Sequence, residues 1–213
     1  MGSTIPLSDA GLAASFTLMR IIGGRLSGRR FGAPKGRSTR PTSDRVREGL
    51  TSALESRGAF GGASVLDLFA GTGALSFEAL SHGASHALLV DRNPLAIRQI
   101  TQSAKELGVE AEVRTACVNL LGDAVDAVHR LPTTDGHFSL VFVDAPYAEV
   151  DAIPRLLDAL IASGRLTLGA WVVVEHPTGH DWTWPNGLAS EAHYRYGRTS
   201  ISLGVYAPEK GAQ

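Results

Sequence analysis

Cysteine is nearly absent from this chain of 213 residues, and long apolar runs are missing altogether. The single cysteine, Cys117, cannot form a disulfide within the chain and excludes a metal site built from several cysteines. No apolar stretch approaches the roughly 20 residues that a membrane-spanning helix needs. The seven histidines show no ligand spacing, so a histidine metal centre is not expected. These absences favour a cytoplasmic protein without a membrane segment, a disulfide or a bound metal.

Charge of one sign is not in excess overall, because the formal net charge is −1, but it is unevenly distributed. Residues 20–57 hold ten basic and three acidic side chains, a net charge of +7, which leaves −8 for the rest of the chain. A basic segment on an acidic body is typical of proteins that bind a phosphate backbone. A solvated basic face without a partner is the alternative.

Hydrophobic patterning divides the chain into three segments. Residues 1–18 carry no periodic pattern and are expected to be a disordered extension. Residues 19–57 are predicted to form a basic β-hairpin with a glycine turn, followed by an entry helix with an apolar residue at every fourth position. Residues 58–213 are predicted to form the main domain, since 44% of the chain is apolar and can build a core.

Within the main domain, short apolar strands alternate with helices. The predicted strands are Ser64–Ala70, His86–Asp91, Ala111–Cys117, Phe138–Asp144 and Ala170–Glu175, and the predicted helices are Ala74–Ser81, Pro94–Leu107, Leu120–Leu131 and Ile153–Leu160. Strands that are apolar on both faces and separated by helices indicate a parallel sheet covered on both sides. Residues 191–196 and 199–206 alternate polar and apolar, which predicts a terminal antiparallel hairpin. The fold class is therefore α/β, a doubly wound sheet closed by that hairpin.

The turn after the first of these strands, residues 67–73 (Asp-Leu-Phe-Ala-Gly-Thr-Gly), predicts a ligand site. Gly71 and Gly73 allow a tight turn and a close approach of the backbone to a ligand. Asp91 ends the second strand twenty residues after Gly71, the spacing from which a carboxylate accepts hydrogen bonds from ribose hydroxyls. A dinucleotide is disfavoured because Ser76 replaces the third glycine of its fingerprint and Asp67 would repel a pyrophosphate. Asp67 would attract the sulfonium and ammonium groups of S-adenosylmethionine, which is the predicted cofactor.

The fourth predicted strand ends in Asp144-Ala145-Pro146-Tyr147. This tetrapeptide resembles the Asp/Asn-Pro-Pro-Tyr/Phe motif of methyltransferases that act on exocyclic amino groups of bases. Such a nitrogen is a poor nucleophile because its lone pair is delocalised into the ring. The Asp144 carboxylate and the Ala145 carbonyl would accept its two N–H bonds and stabilise the developing positive charge. Pro146 restricts Ala145 to an extended backbone, and the Tyr147 ring offers a surface on which a base stacks. All four are predicted catalytic residues.

The order of these motifs resembles the core of class I S-adenosylmethionine-dependent methyltransferases. Within that class, residues 40–48 (Arg-Pro-Thr-Ser-Asp-Arg-Val-Arg-Glu) are similar to the entry segment of bacterial enzymes that methylate N2 of one guanine in 16S ribosomal RNA. Residues 20–25 and 28–29 also match that family, and the resemblance covers residues 19–207. It implies a Rossmann-like, seven-stranded, mostly parallel sheet with an antiparallel final strand. The implied activity is methylation of ribosomal RNA.

The resemblance also implies roles for individual residues. Residue Thr42 is expected to lie over the cofactor, and the other candidate cofactor contacts are Asp67, Phe69, Gly71, Gly73, Asp91, Arg92, Asn93, Cys117 and Asn119. The basic hairpin and the segment after it are expected to contact RNA through Arg25, Arg29, Arg30, Lys35, Arg37 and Arg40. The implied partner is 16S ribosomal RNA, within the small subunit or an assembly intermediate. Nothing in the sequence requires more than a monomer.

Two positions depart from the family pattern. Ala145 stands where the family commonly has proline, which weakens the backbone rigidity there. Residues 115–119 offer no acid to contact the adenine amino group, so backbone groups or Asn119 are left for that contact. The segment Glu175-His176-Pro177, at a later strand end, is not assigned to the site, and support of substrate binding is only its alternative role. Two alternatives remain: the same motif suits adenine N6 of RNA or DNA, and a non-catalytic RNA-binding assembly factor with this fold would not bind the cofactor.

Overall fold

The computed structural model describes residues 16–34, 44–132 and 136–208, which contain two β-sheets and five α-helices. None of the helices in these ranges is both long and apolar enough to cross a membrane. Some residues of the predicted sites lie outside the described residues, namely Thr42, Lys35, Arg37 and Arg40.

The larger sheet has seven strands in the order β5-β4-β3-β6-β7-β9-β8. They are β3 (Ser64–Asp67), β4 (His86–Asp91), β5 (Val113–Cys117), β6 (Phe138–Val143), β7 (Leu166–Pro177), β8 (Leu188–Tyr196) and β9 (Thr199–Tyr206). The first five strands of that order run parallel, whereas β9 lies antiparallel between β7 and β8. The predicted α/β class with an antiparallel final strand is thus confirmed. Because the strand order reverses between β3 and β6, a crevice opens at their carboxyl ends.

Helices cover both faces of this sheet. They are α1 (Asp44–Glu55), α2 (Ala74–Ser81), α3 (Pro94–Leu107), α4 (Ala124–His129) and α5 (Ile153–Ala162). The first three pack on one face and the last two on the other, so the core has two layers. Successive strand residues point to opposite faces, and accordingly Val65 enters the first layer and Leu66 the second. Because both layers are buried, the central strands are apolar throughout.

The smaller sheet is a hairpin of β1 (Phe16–Arg20) and β2 (Arg30–Pro34). A 3₁₀ turn at Gly24–Leu26 lies in the connection, where the sequence had predicted a tight glycine turn. Gly24 has φ +71°, and a Cβ atom there would lie 2.2 Å from the Ser81 carbonyl oxygen of α2. Only glycine permits this approach. Since Ile21 is buried in the same core layer as α2 and α3, the hairpin is docked on the main domain.

Several boundaries differ from the sequence predictions: β5 begins at Val113 and not at Ala111, β7 spans Leu166–Pro177 and not Ala170–Glu175, and β8 begins at Leu188 and not at Glu191. Strand β1 begins at Phe16, so residues 16–18, which were expected to be disordered, pair with β2. Helix α4 begins at Ala124 and not at Leu120. The reason is that the Asp123 carboxylate caps the helix, accepting hydrogen bonds from two N–H groups of the first turn at 3.0 and 3.1 Å.

Candidate active site

A cavity of about 490 Å³ opens at the carboxyl ends of β3, β4 and β6. The predicted site residues that line it are Asp67, Phe69, Gly71, Asp91, Arg92, Asn93, Asn119, Asp144, Ala145, Pro146 and Tyr147. The structure therefore brings the predicted cofactor turn and the predicted catalytic tetrapeptide to one cavity. Its volume lies within the range of about 300–1,000 Å³ that small-molecule sites occupy.

The turn after β3 is shaped by its two glycines. Strand β3 ends at Asp67, three residues before the predicted end at Ala70, because the chain turns out of the ladder there. Gly71 has φ +53° and Gly73 has φ +78°, both in the left-handed region that favours glycine. A Cβ atom on Gly73 would lie 2.8 Å from the Phe77 ring. Gly73 is not part of the cavity wall, but it allows the turn to close against α2.

Asp91 ties the end of β4 to this turn. Its Oδ2 accepts a hydrogen bond from the Gly71 N–H group at 2.9 Å, and its Oδ1 accepts one from Asn93 N–H at 2.7 Å. An ionised carboxylate has about four acceptor positions, so about two remain for a ligand. Asn93 in turn caps α3 by accepting a hydrogen bond from Leu95 N–H at 2.9 Å. The carboxylate is thereby held in a fixed orientation at the cavity wall.

Asp67 is a buried acid at the floor of the cavity, with 2% of its surface exposed. Burial raises its pKa from 3.8 to about 7, and the nearby charge of Asp91 acts in the same direction. The Ser76 hydroxyl donates a hydrogen bond to Asp67 Oδ2 at 2.8 Å and partly offsets this rise in pKa. Ser76 therefore does more than replace a glycine: it holds the acid in place. A cation bound beside Asp67 would favour its ionised form.

The tetrapeptide after β6 is anchored through its tyrosine. The Tyr147 hydroxyl lies 2.6 Å from Thr199 Oγ1 and donates to Glu175 Oε1 at 3.5 Å. Glu175, which the sequence analysis did not assign to the site, also lines the cavity. These contacts link the tetrapeptide to β7 and β9, and they hold the tyrosine ring at the cavity wall, next to Asp144.

Cys117, by contrast, does not belong to the cavity wall. This cysteine is exposed, and its Sγ atom lies 3.7 Å from the Arg92 carbonyl oxygen. Asn119, two residues later, lines the cavity, but its side-chain oxygen already accepts a hydrogen bond from Leu121 N–H at 3.2 Å. In the described ranges, no three histidine, cysteine, aspartate or glutamate side chains are grouped so that they could hold a metal ion.

Comparison with known proteins identifies the family. The model of the family described as conserved hypothetical protein 95 matches residues 19–205. The chain belongs to this family. The candidate rRNA methyltransferase YlbH of Bacillus subtilis (strain 168) is 35% identical over 158 residues, which are 74% of this chain and 82% of the relative. Ribosomal RNA small subunit methyltransferase D of Escherichia coli (strain K12) is 33% identical over 157 residues, 74% of either chain.

A solved structure agrees with these relatives. The candidate methyltransferase yhhF from Escherichia coli superposes with a TM-score of 0.77 at 27% identity, over 91% of this chain and 100% of its own. The family expected from the sequence is confirmed, and the fold is that of class I S-adenosylmethionine-dependent methyltransferases.

The cavity of this family member suits S-adenosylmethionine in its chemistry. Five acids line the cavity, namely Asp67, Asp91, Asp144, Glu149 and Glu175, beside two arginines, Arg47 and Arg92, of which Arg92 is paired with Glu149. The excess of acids favours a ligand with a sulfonium and an ammonium group. Phe69, Leu95 and Val118 add apolar surface, which an adenine ring requires. Asp91 has acceptor positions to spare for ribose hydroxyls. The residues present therefore fit the cofactor that the fold implies.

One buried ion pair of this family member was missed by sequence reasoning. Arg47 on α1 is fully buried, and its Nη1 donates to Glu78 Oε1 on α2 at 2.9 Å. Burial raises the pKa of Glu78, and hydrogen bonds from Ile22 N–H and Gly23 N–H oppose that rise. The pair thus joins the hairpin, α1 and α2. A signal was present in the sequence, because each charge interrupts the apolar stripe of its helix.

The basic hairpin uses two of its predicted RNA-binding arginines within the chain. Arg25 forms an ion pair with Glu112 and donates to the Leu80 carbonyl. Arg29 donates to two carbonyl oxygens at the end of α3, those of residues 106 and 107, each at 2.6 Å. Arg30 is exposed. These three roles could not be separated from the sequence, since the partners of Arg25 and Arg29 lie 55 to 87 residues away along the chain.

Proposed function

We propose that this protein transfers a methyl group from S-adenosylmethionine to the exocyclic N2 of a guanine in 16S ribosomal RNA, as a cytoplasmic enzyme that needs no partner subunit. One observation carries the proposal: Asp144 and Ala145 line the same cavity as Gly71 and Asp91. A base held at the tetrapeptide would therefore face a cofactor held at the glycine turn. The names of the relatives support ribosomal RNA as the acceptor.

In the proposed reaction, the protein contributes mainly by orienting the reacting groups. S-adenosylmethionine, when bound, supplies a methyl group that is already activated by the adjoining sulfonium. The Asp144 carboxylate and the Ala145 carbonyl accept the two N–H bonds of the exocyclic amine, which turns its lone pair towards the methyl carbon. The carboxylate also stabilises the positive charge that grows on nitrogen and accepts the proton that this nitrogen releases. Alignment of this kind is worth up to about 7–11 kcal/mol in favourable cases.

Tyr147 has a separate task in this proposal. A guanine inside a helix cannot reach the cavity, so it must leave its stack, which costs a few kcal/mol. Stacking on an aromatic ring contributes about 1–3 kcal/mol, which offsets part of that cost. Because the Tyr147 hydroxyl is bonded to Thr199, the ring is fixed before the base arrives. The base would then enter between this ring and the cofactor.

RNA affinity would come from the basic segment. Phosphate contacts by arginine and lysine are not sequence-specific and weaken steeply with salt. Of the three predicted RNA-binding arginines in the described ranges, we assign such a contact to the exposed Arg30, because Arg25 and Arg29 bind groups within the chain. The proposal therefore assigns affinity to the hairpin and choice of base to the cavity.

A methyl-transfer assay tests the proposal. The protein is incubated with labelled S-adenosylmethionine and one of three acceptors: small ribosomal subunits, naked 16S ribosomal RNA or duplex DNA. We expect label in N2-methylguanosine from subunits or from naked RNA. Label in N6-methyladenine, or in DNA alone, would contradict the proposal and support an adenine enzyme. Absence of S-adenosylhomocysteine binding would instead support a non-catalytic assembly factor.

The role of Asp144 has its own test. Asp144→Ala is expected to keep its affinity for S-adenosylhomocysteine within about 3-fold, because the cofactor turn is untouched. Its turnover should fall by about 100-fold or more, as when one preorganised group is removed from an active site. Asp158→Ala is the matched control, since Asp158 is exposed on α5 and lies outside the cavity wall. Turnover of Asp144→Ala equal to that of the control would remove Asp144 from its role.

A further inference from the structure

Two acids stand side by side where β6 and β7 end at the cavity. Val143, the last residue of β6, pairs with Val174 of β7, so the residues that follow them, Asp144 and Glu175, are neighbours across the two strands. Neighbouring strands lie about 4.8 Å apart. Both acids line the cavity and both are half-buried. The proposed reaction uses Asp144 and assigns no step to Glu175.

The Glu175 carboxylate lies at the ring on which the target base is proposed to stack. Its Oε1 accepts a hydrogen bond from the Tyr147 hydroxyl at 3.5 Å, and Tyr147 is itself part of the cavity wall. A carboxylate has about four acceptor positions. This long contact therefore does not prevent Glu175 from accepting a further hydrogen bond from a base.

Hydrogen-bond acceptors are grouped at this end of the cavity. The Asp144 carboxylate, the Ala145 carbonyl and the Glu175 carboxylate belong to the ends of two adjacent strands, and all three residues line the cavity. The two arginines of the wall, Arg47 and Arg92, each form ion pairs with acids of the chain. A base that enters here meets three acceptors, so an edge rich in N–H donors suits the site best.

Guanine is the base whose edge matches this set of acceptors. It carries N1–H next to its exocyclic amine, so that edge presents three N–H donors in a row. Adenine and cytosine carry an unprotonated ring nitrogen beside their exocyclic amine, and so present two donors and one acceptor. A carboxylate placed against that ring nitrogen would leave two acceptors facing each other without a proton between them, which is unfavourable where water is excluded.

We infer that Glu175 accepts a hydrogen bond from N1–H of the target guanine and thereby selects guanine over adenine and cytosine. This inference rests on the proposed function, because it concerns the base in the same cavity. Asp144 and the Ala145 carbonyl hold the amine, and Glu175 reads the neighbouring ring nitrogen. Thr199, whose Oγ1 lies 2.6 Å from the Tyr147 hydroxyl, has the different task of positioning the ring.

The test replaces the target guanine by 2-aminopurine, which keeps the exocyclic amine but has an unprotonated N1. The RNA acceptor of the methyl-transfer assay is prepared with either base at the target position, and kcat/KM is measured for each. The 2-aminopurine base also lacks the oxygen at C6, so the comparison is made between proteins: the wild type, Glu175→Gln and Thr199→Val.

The two variants separate reading of the base from positioning of the ring. Glutamine can accept a hydrogen bond from guanine N1–H through its oxygen, or donate one to N1 of 2-aminopurine through its NH₂ group. Thr199→Val is the matched control, because it removes a contact of the Tyr147 hydroxyl and leaves the Glu175 carboxylate in place. Both variants should bind S-adenosylhomocysteine within about 3-fold of the wild-type Kd, since the cofactor turn is untouched.

The wild type should prefer guanine by about 30-fold or more, because 2-aminopurine cannot donate to the charged acceptor. In Glu175→Gln this preference should be about 10-fold smaller, whereas in Thr199→Val it should stay within about 3-fold of the wild-type value while kcat falls.

An equal preference in Glu175→Gln and in the wild type would overturn the inference and leave Glu175 as a residue that only positions Tyr147. Equal rates on the two bases in the wild type would overturn it without recourse to any variant. Failure of the wild type to methylate RNA that carries guanine at the target position would instead overturn the proposed function.

Discussion

The Asp91 carboxylate binds the backbone of the glycine turn and, in our account, also accepts hydrogen bonds from the ribose hydroxyls of the cofactor. Replacing Asp91 by asparagine changes this group. The native carboxylate accepts hydrogen bonds from Gly71 N–H at 2.9 Å and from Asn93 N–H at 2.7 Å. An asparagine presents one carbonyl oxygen and one NH₂ group, so one of these two backbone donors would face another donor. The variant therefore has fewer acceptors for both the turn and the ribose.

The size of the effect follows from the number of bonds lost. A hydrogen bond to a charged group contributes about 1.5–3 kcal/mol. Asp91 is only half-buried, so the lower value applies. Two bonds from ribose hydroxyls then contribute about 3 kcal/mol, or about 150-fold in affinity. A looser turn around Gly71 would add to this loss.

Titration calorimetry with S-adenosylhomocysteine measures the loss directly. We expect the Kd of Asp91→Asn to rise by about 100-fold or more. Asp158→Asn is the control, because Asp158 is exposed on α5, and its Kd should match that of the wild type. A Kd for Asp91→Asn within about 3-fold of the wild-type value would refute the ribose role of this carboxylate.

Two further predictions concern stability and RNA affinity. Burial raises the pKa of Asp67 from 3.8 to about 7. The folded cofactor-free protein therefore binds the proton of the Asp67 carboxyl group more tightly than the unfolded chain does. Its free energy of unfolding should therefore fall by up to about 4 kcal/mol as the pH rises from about 4 to 7. Urea unfolding should show a clearly smaller fall in Asp67→Asn, and an equal fall would contradict the assignment. Arg29→Ala should lower the melting temperature, since its guanidinium binds two carbonyl oxygens at the end of α3. Arg30→Ala should leave the melting temperature unchanged but reduce the salt dependence of RNA binding, by about one unit of slope. A lower melting temperature for Arg30→Ala, or an unchanged melting temperature with a smaller salt dependence for Arg29→Ala, would contradict the role given to that arginine.

Much of the fold could be predicted because periodicity is a local signal. Helices α2 and α3 and strand β4 have the predicted bounds, since each apolar pattern begins and ends at clear breaks in the chain. Helix α4 begins later than predicted because Leu120 is buried by the core outside any helix, while Asp123 supplies the cap. The pattern of apolar residues alone could not distinguish burial in a turn from burial in a helix.

The site was predictable for a different reason. Parallel strands end at the same edge of a sheet, so Asp67, Asp91 and Asp144 were expected to meet once the strand order was known. Arg47 and Glu78 could not be paired in this way. They lie on two helices, 31 residues apart, and their contact depends on how α1 packs against α2. The roles of long-range partners of this kind follow only from coordinates.

The measurement that tests the central claim most directly is made on ribosomes. Nucleosides of 16S ribosomal RNA are mapped by mass spectrometry in cells that lack this protein, and again after return of the wild type or of Asp144→Ala. Our account predicts that one N2-methylguanosine is lost, is restored by the wild type and is not restored by Asp144→Ala. An unchanged set of N2-methylguanosines, or restoration by Asp144→Ala, would contradict it.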